Sequence, residues 1–209
     1  MKVPSFQVER KLWKKGYKKV AGLDEVGRGC LAGPVVAAAV VFKNPKSKIQ
    51  NLGVNDSKKL SPKKREKLFK ILIKNPQVEW GIGRVSEKII DKINILEATK
   101  LAMKRAIKKM EHKPDFLILD GNFKIDSPIS QKSIIKGDEK VFSVAAASIL
   151  AKVWRDRIII RYHKKYPRYG FDRHKGYSTK YHRKMLKKYG RCVIYRKSFN
   201  YGGSKTKTY

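Results

Sequence analysis

Acidic residues are scarce in this sequence: 17 Asp+Glu stand against 51 Lys+Arg in 209 residues, a formal net charge of +34. Cysteine is scarcer still, with only Cys30 and Cys192, 162 positions apart. That spacing offers no disulfide framework and fits a reducing cytoplasm, the expected location. No apolar run approaches the roughly 18 residues of a membrane span. The opening MKVPSFQVERKLWKKGYKK has no apolar centre of the kind a secretory signal needs. A membrane partner is not expected. Familiar chemical motifs are also missing. GRGCLAG is neither GxGxxG nor a Walker loop, and no GxSxG nucleophile elbow occurs. His112, His163, His174 and His182 do not pair with the cysteines at zinc-finger spacing. Cys30, in a Gly-rich turn, reads as a small buried filler.

What is abundant is positive charge, and it is uneven. From Lys152 to Tyr209 there are 19 basic and two acidic residues, so 19 − 2 = +17 in 58 residues. The other 151 residues carry 32 basic and 15 acidic ones, again +17. Trp154, Tyr162, Tyr166, Tyr169, Phe171, Tyr177, Tyr181 and Tyr189 are interleaved with the dense basic stretch. Basic groups neutralise phosphates, and rings pack on sugars and bases, so nucleic acid is the expected partner. The plainer alternative is a solvated surface whose rings fill a core. Hydrophobic residues make up 41%, enough to build one.

Organisation follows from local pattern. VAGLDEVG and PVVAAAVVF read as two adjacent strands joined by a wide Gly/Pro turn. Ser61-Pro62 reads as an N-cap and first helical position, opening a helix to about Lys74. VEWGIGRVS is a strand, and a helix follows from Glu87 to about Glu111. DFLILDG and SIIKGD are short strands. The longest helix spans Glu139 to about Lys164, and a short one Lys180 to Tyr189. The expectation is an α/β fold, a mixed sheet flanked by helices, with a basic, mainly helical C-terminal extension. The divisions are a basic N-terminal segment (1–18), a core (19–158), and a substrate-binding extension with a flexible tail (159–209).

With so few acids, their placement is informative. Asp24 and Glu25 end one strand, Asp120 ends FLILD, and Asp138 ends SIIKGD at the mouth of the long helix. Ligands bind at strand ends in open α/β sheets. Clustered anions repel unless screened, and divalent cations with oxygen ligands are the natural screen. Carboxylates with Mg²⁺ in a protein built to hold polyanions point to phosphodiester chemistry. Each acid also has an ordinary alternative. Asp138 fits a helix N-cap, Asp120-Gly121 a turn, and Asp24-Glu25 a salt-bridge pair.

Here the sequence resembles the ribonuclease HII family. AGLDEVGRGCLAGPVVAAAVVF is similar to its first signature. NDSKKLSPKKREKL, INILEATKLAM, LILDGNFKI, KGDEKVFSVAAASILAKVWRDR and HKGYSTKYH follow in family order, from about Lys19 to about Asn200. The HKGYSTKYH form resembles the bacterial branch. The resemblance implies an RNase H-like fold and a site of Asp24, Glu25, Asp120 and Asp138 holding two Mg²⁺ or Mn²⁺ ions about 4 Å apart, bridged by Asp24. It implies cleavage 5′ to a ribonucleotide embedded in duplex DNA, and of RNA in RNA–DNA hybrids, leaving 3′-OH and 5′-phosphate. Gly27-Arg28-Gly29 would read the ribose 2′-OH, because bare backbone approaches a sugar closely. Tyr177 would pack on the following deoxyribose. Lys58, in Asp56-Ser57-Lys58, would contact phosphate, and Asn94 a backbone. Cys30 stands where the family has proline, and Tyr195 where histidine is more familiar. A monomer is the default state, and a sliding-clamp partner has no clear motif behind it. Two rivals fit the charge as well: a non-catalytic nucleic-acid binder, and another metal-dependent nuclease of the same fold.

Overall fold

The computed structural model of the chain describes residues 3–43 and 52–200. Chain order runs α1 (Gln7–Lys14), β1 (Val20–Val26), β2 (Val35–Phe42), α2 (Pro62–Lys74), β3 (Val78–Val85), α3 (Glu87–Lys108), β4 (Phe116–Asp120), β5 (Ser130–Ile134), α4 (Phe142–Lys165), α5 (Phe171–His174) and α6 (Lys180–Tyr189). The five strands form one sheet in the order β3-β2-β1-β4-β5. β1 pairs antiparallel with β2, and β2 with β3, whereas β1, β4 and β5 run parallel. The sheet is mixed and flanked by helices, as the pattern of runs implied.

The unbroken apolar run of β2 is explained by cover on both faces. All eight of its residues are buried. Ala38, Val40 and Phe42 pack under α2 and α4, against Phe69, Leu72, Phe142 and Ile149. Ala37, Ala39 and Val41 face α3, against Ile90, Ala102 and Met103. A strand covered on both sides cannot alternate polar and apolar residues. α4 sits tightly on β1 because Gly22 has no side chain; a Cβ there would lie 2.4 Å from the Ser143 backbone. α2 begins as expected, with the Ser61 hydroxyl accepting from the Lys64 amide and Pro62 in the first turn.

Four features depart from the expectations. The N-terminal segment holds a helix, α1, whose Glu9 is buried and accepts from the Ser143 amide (2.9 Å) and hydroxyl (2.8 Å). Glu9 thereby caps α4 from another element. The fifth strand ends at Ile134, not at Asp138: the Gly121 amide closes on Ile134 O, and Lys136 turns left-handed (φ 56°). Asp138 lies instead in a one-turn 3-10 helix, Gly137–Glu139. α4 starts at Phe142 rather than Glu139. Finally, α3 is kinked at Asn94 (φ 64°, ψ 170°), where the side chain accepts from the Leu96 and Glu97 amides and restarts the helix.

The basic extension docks on the core through its own apolar cluster. Tyr169, Phe171, Leu186, Ile194 and Tyr195 enclose Leu31 and Ala32 of the loop after β1. Part of the aromatic set is thus core, while Tyr177, Tyr181 and Tyr189 stay partly exposed. The 158/159 division falls inside α4, which runs unbroken to Lys165. The tail from Tyr201 lies outside the described residues.

Candidate active site

Parallel pairing of β1 with β4 does the first assembly step. Leu23 is in register with Leu119, and Asp24 and Asp120 are the next residues of each strand. Their carboxylates therefore leave neighbouring strand ends side by side. The third acid arrives by a backbone contact: Asp120 Oδ1 accepts from the Gly137 amide at 2.7 Å, which draws the Asp138 turn over the strand ends. Ligand oxygens of Asp24, Asp120 and Asp138 lie within 4.8 Å of one another. Asp138 does not cap α4, whose cap residue is Val141. Glu25 stands beside this trio. Its Oε1 meets Arg28 Nη1 at 3.5 Å, and its Oε2 is buried with no hydrogen-bond partner among the described residues.

Electrostatics record how close these anions are. Burial is the largest cause raising Asp24 well above the carboxylate range, followed by repulsion from Glu25, Asp120 and Asp138. Burial lifts Glu25 to about 7, with Arg28 opposing the rise and Asp120 adding to it. Asp138 rises to about 6, again chiefly by burial and then by Asp120 and Asp56. Lys58 Nζ reaches to 3.9 Å from Asp138 Oδ2. Partial desolvation opposes its charge, but Asp56, Asp138, Asp24 and Asp120 outweigh that and raise its pKa. An oxygen-only donor set, mutually repelling and with an orphaned buried carboxylate oxygen, suits hard divalent cations. Asp24, Asp120 and Asp138 would hold them, with Glu25 alongside.

A cavity of about 270 Å³ opens over these groups, lined by Asp24, Glu25, Lys58, Lys152 and Tyr177 among others. Tyr177 is brought there by the extension. Lys152 Nζ lies 5.6 Å from the centre of its ring, and Cys30 bridges it across the GRG turn. Cys30 itself is buried, and burial pushes its thiol up, as a filler requires. Asn94 is exposed on α3, and no hydrogen bond or ion pair joins it to the carboxylates among the described residues.

Two other places invite comparison. Glu79, Glu111 and His112 also converge, but Glu79 already meets Lys43 Nζ (3.1 Å) and His112 Nδ1 (3.0 Å). A larger groove of about 590 Å³ lies beside Trp154, where Glu66 and Asp156 are ion-paired with Arg157 and Lys152. Neither place gathers unscreened carboxylates as the strand ends do.

Sequence reasoning missed the groups that shape the site from behind. His174 and His182 are not ligands. Their rings stack at 3.9 Å, and burial lowers both below the ordinary imidazole range, His182 to about 4. His174 Nδ1 accepts from the Gly176 amide, and His182 Nδ1 donates to Tyr177 O, bracing the HKGYST segment. Tyr195 donates its hydroxyl to His182 Nε2 at 2.8 Å, which completes that brace. Arg155 and Arg196 are almost wholly buried, and among the described residues neither forms an ion pair with a carboxylate. Only the short HKGYSTKYH spacing hinted at the histidines, and nothing in the sequence marked these arginines.

Comparison with known proteins gives consistent results. Residues 21–201 match the family described as Ribonuclease HII. A protein of that name from Caldicellulosiruptor bescii is 53% identical over 195 residues, 93% of this chain and 92% of that one. Another, from Chlamydia trachomatis serovar A, is 50% identical over 192 residues, 92% of this chain and 87% of its own length. Among solved structures, that of the PCNA:RNase HII complex from Archaeoglobus fulgidus has a TM-score of 0.74 at 30% identity, covering 90% of this chain and 98% of that chain.

Proposed function

The chain belongs to the ribonuclease HII family, and on that premise we propose that it cuts the phosphodiester 5′ to a ribonucleotide embedded in duplex DNA and degrades RNA in RNA–DNA hybrids. It is a ribonuclease H, a metal-dependent nuclease by family; the substrate and mechanism are inferred. One observation carries the reading. Asp24, Asp120 and Asp138 converge beside Glu25, and one cavity joins Asp24 and Glu25 to Tyr177 and Lys58. A protein that only bound nucleic acid would gain nothing from anions held against phosphate.

Two divalent ions, when bound by these carboxylates, supply an activated water and neutralise charge at the scissile phosphate. Asp24, which faces Glu25, Asp120 and Asp138, would hold the ions together with them. Glu25 orients substrate near the 2′-OH. Asp120, fixed by the Gly137 amide, and Asp138, held by its 3-10 turn, complete the oxygen set. The Gly27-Arg28-Gly29 turn reads the ribose, Tyr177 packs on the next deoxyribose, and Lys58 meets a phosphate. Asn94, exposed at the α3 kink, would contact the substrate backbone. The basic extension holds the duplex, and the working unit is a monomer. Products carry 3′-OH and 5′-phosphate. The test is a duplex with one embedded ribonucleotide, incubated with EDTA, Mg²⁺ or Mn²⁺. Cleavage 5′ to the ribose only with metal is expected, and the two arms rank the metals. Cutting in EDTA, or indifference to the ribose, would overturn the proposal.

A further inference from the structure

The turn between β1 and β2 is held from below by two buried guanidinium groups. Arg196 is 1% exposed and Arg155 is fully buried. Arg196 Nη2 donates to Gly27 O (2.6 Å) and Gly33 O (2.9 Å), Nη1 to Arg28 O (2.8 Å), and Nε to Gly33 O (3.0 Å). Arg155 donates to Pro34 O (2.9 Å), Ala32 O (3.0 Å) and Lys175 O (2.8 Å). Burying a charge with no opposite partner is expensive. Here the hydrogen bonds of both groups go to backbone carbonyls, most of them in residues 27–34. The Tyr177 and Phe199 rings lie over them, and Glu87 and Asp91 act on Arg196 without a direct ion pair among the described residues. Such an arrangement costs stability, so it calls for a reason in function.

Peptide planarity supplies the reason. The Gly27 carbonyl shares its peptide unit with the Arg28 N–H, and the Arg28 carbonyl shares one with the Gly29 N–H. In a trans peptide the N–H points opposite to the C=O. Pinning both oxygens on Arg196 therefore aims both N–H groups outward. Among the described residues neither amide donates to any protein group. The Arg28 side chain meets Glu25, which places the turn beside the carboxylates. A carbonyl bound to a cation also polarises its own N–H and makes it a better donor. Gly29 completes the design: a Cβ there would meet nothing within 4 Å, so its bare side faces open space.

We propose that Arg196 is a positioning residue that fixes the Arg28 and Gly29 amides as ribose-reading donors, and that Arg155 locks the same turn to the Tyr177 segment. Ribose recognition at the start of the chain is thus set by a guanidinium near its end. The inference rests on the reading of the turn as the 2′-OH reader and adds what enforces it. Lysine cannot replace it, because one ammonium lacks the planar fork that spans three carbonyls.

The test uses Arg196→Lys and Arg196→Gln, with Gly29→Ala as reference. The readout is the ratio of kcat/KM on a duplex bearing one ribonucleotide to that on a duplex bearing one 2′-fluoro nucleotide. A second readout is solvent exchange of the Arg28 and Gly29 amides by NMR, in wild-type protein, free and bound to each duplex without metal. Both Arg196 variants should lose at least about tenfold in the ratio, the loss expected for charge-supported hydrogen bonds. In wild type the two amides should exchange freely and become protected by the ribonucleotide duplex. Gly29→Ala, which strains nothing within the protein, should also lose the ratio. If Gly29→Ala keeps the wild-type ratio, the reading of the turn fails. If it loses the ratio while the Arg196 variants keep theirs, only the positioning role fails. If the Arg196 variants do not fold, amides already protected in the free wild type would overturn the role.

Discussion

Replacing Asp24 by Asn should make the metal-free protein more stable while destroying its activity. Asp24 is buried and faces Glu25, Asp120 and Asp138. Its Oδ1 accepts from the Glu25 amide at 2.7 Å, a bond that Asn retains. The scale comes from its neighbours. Burial, opposed by Arg28 and reinforced by Asp120, brings Glu25 to about 7 against 4.5. Keeping that group ionised at pH 8 costs about 3 kcal/mol. Asp138, lifted by burial and Asp120 to about 6 against 3.8, carries a similar cost of about 3 kcal/mol. Asp24 is raised by the same burial and by repulsion from three carboxylates, so removing its charge should raise Tm, by about 2–4 °C for each kcal/mol relieved in a chain of this size. The sign with pH follows from the raised values. A carboxyl whose folded pKa exceeds its unfolded one contributes stability below the unfolded pKa. That contribution is lost as pH rises through the folded pKa. The gain in Asp24→Asn should thus be small near pH 4 and grow as pH rises above the ordinary carboxylate range. Thermal melts in EDTA at pH 4.5, 6 and 8 measure it. Saturating Mg²⁺ should raise the wild-type Tm at pH 8 and close most of the gap. An Asp24→Asn protein no more stable than wild type at pH 8 would refute the reasoning. So would a gain of the same size at pH 4.5.

Other consequences are simpler to check. Glu9→Ala strands the buried Ser143 amide and hydroxyl, and should lower stability by about 2–3 kcal/mol in denaturant titrations; a loss under 0.5 kcal/mol would show that α1 does not cap α4. Lys58→Ala should weaken duplex binding and reduce the slope of log K against log salt by about 1; an unchanged slope argues against a phosphate contact. Tyr177→Ala should slow cleavage at a single ribonucleotide more than cleavage of a uniform RNA–DNA hybrid, and equal losses would remove its stacking role.

Much of the fold was legible because its signals are local. The apolar, β-branched run Val35–Phe42 read as a buried strand, and Ser61-Pro62 marked the start of α2. The four acids stood out because an acid after FLIL or VAGL is conspicuous in a chain of +34. Asp138 was found for a partly mistaken reason. Residues 133–138 look like a strand, but Lys136 turns the chain and a separate 3-10 turn carries the acid. α1 went unread although its apolar residues share one face, because eight residues are short for a pattern and its partner lies 134 residues away in Ser143.

By itself the sequence determined the scarcity and position of the acids, the basic surplus that gathers polyanions, and the covered strands that carry Asp24 and Asp120. Tertiary structure alone decided which charges face the substrate and which face inward. Arg155 and Arg196 count among the 51 basic residues, yet they serve backbone carbonyls rather than phosphates. The physical reason is that a charge is the same in sequence wherever it points. Only the path of residues 27–34, folding its carbonyl oxygens onto two guanidinium groups, turns those cations inward and leaves the opposite amides facing out.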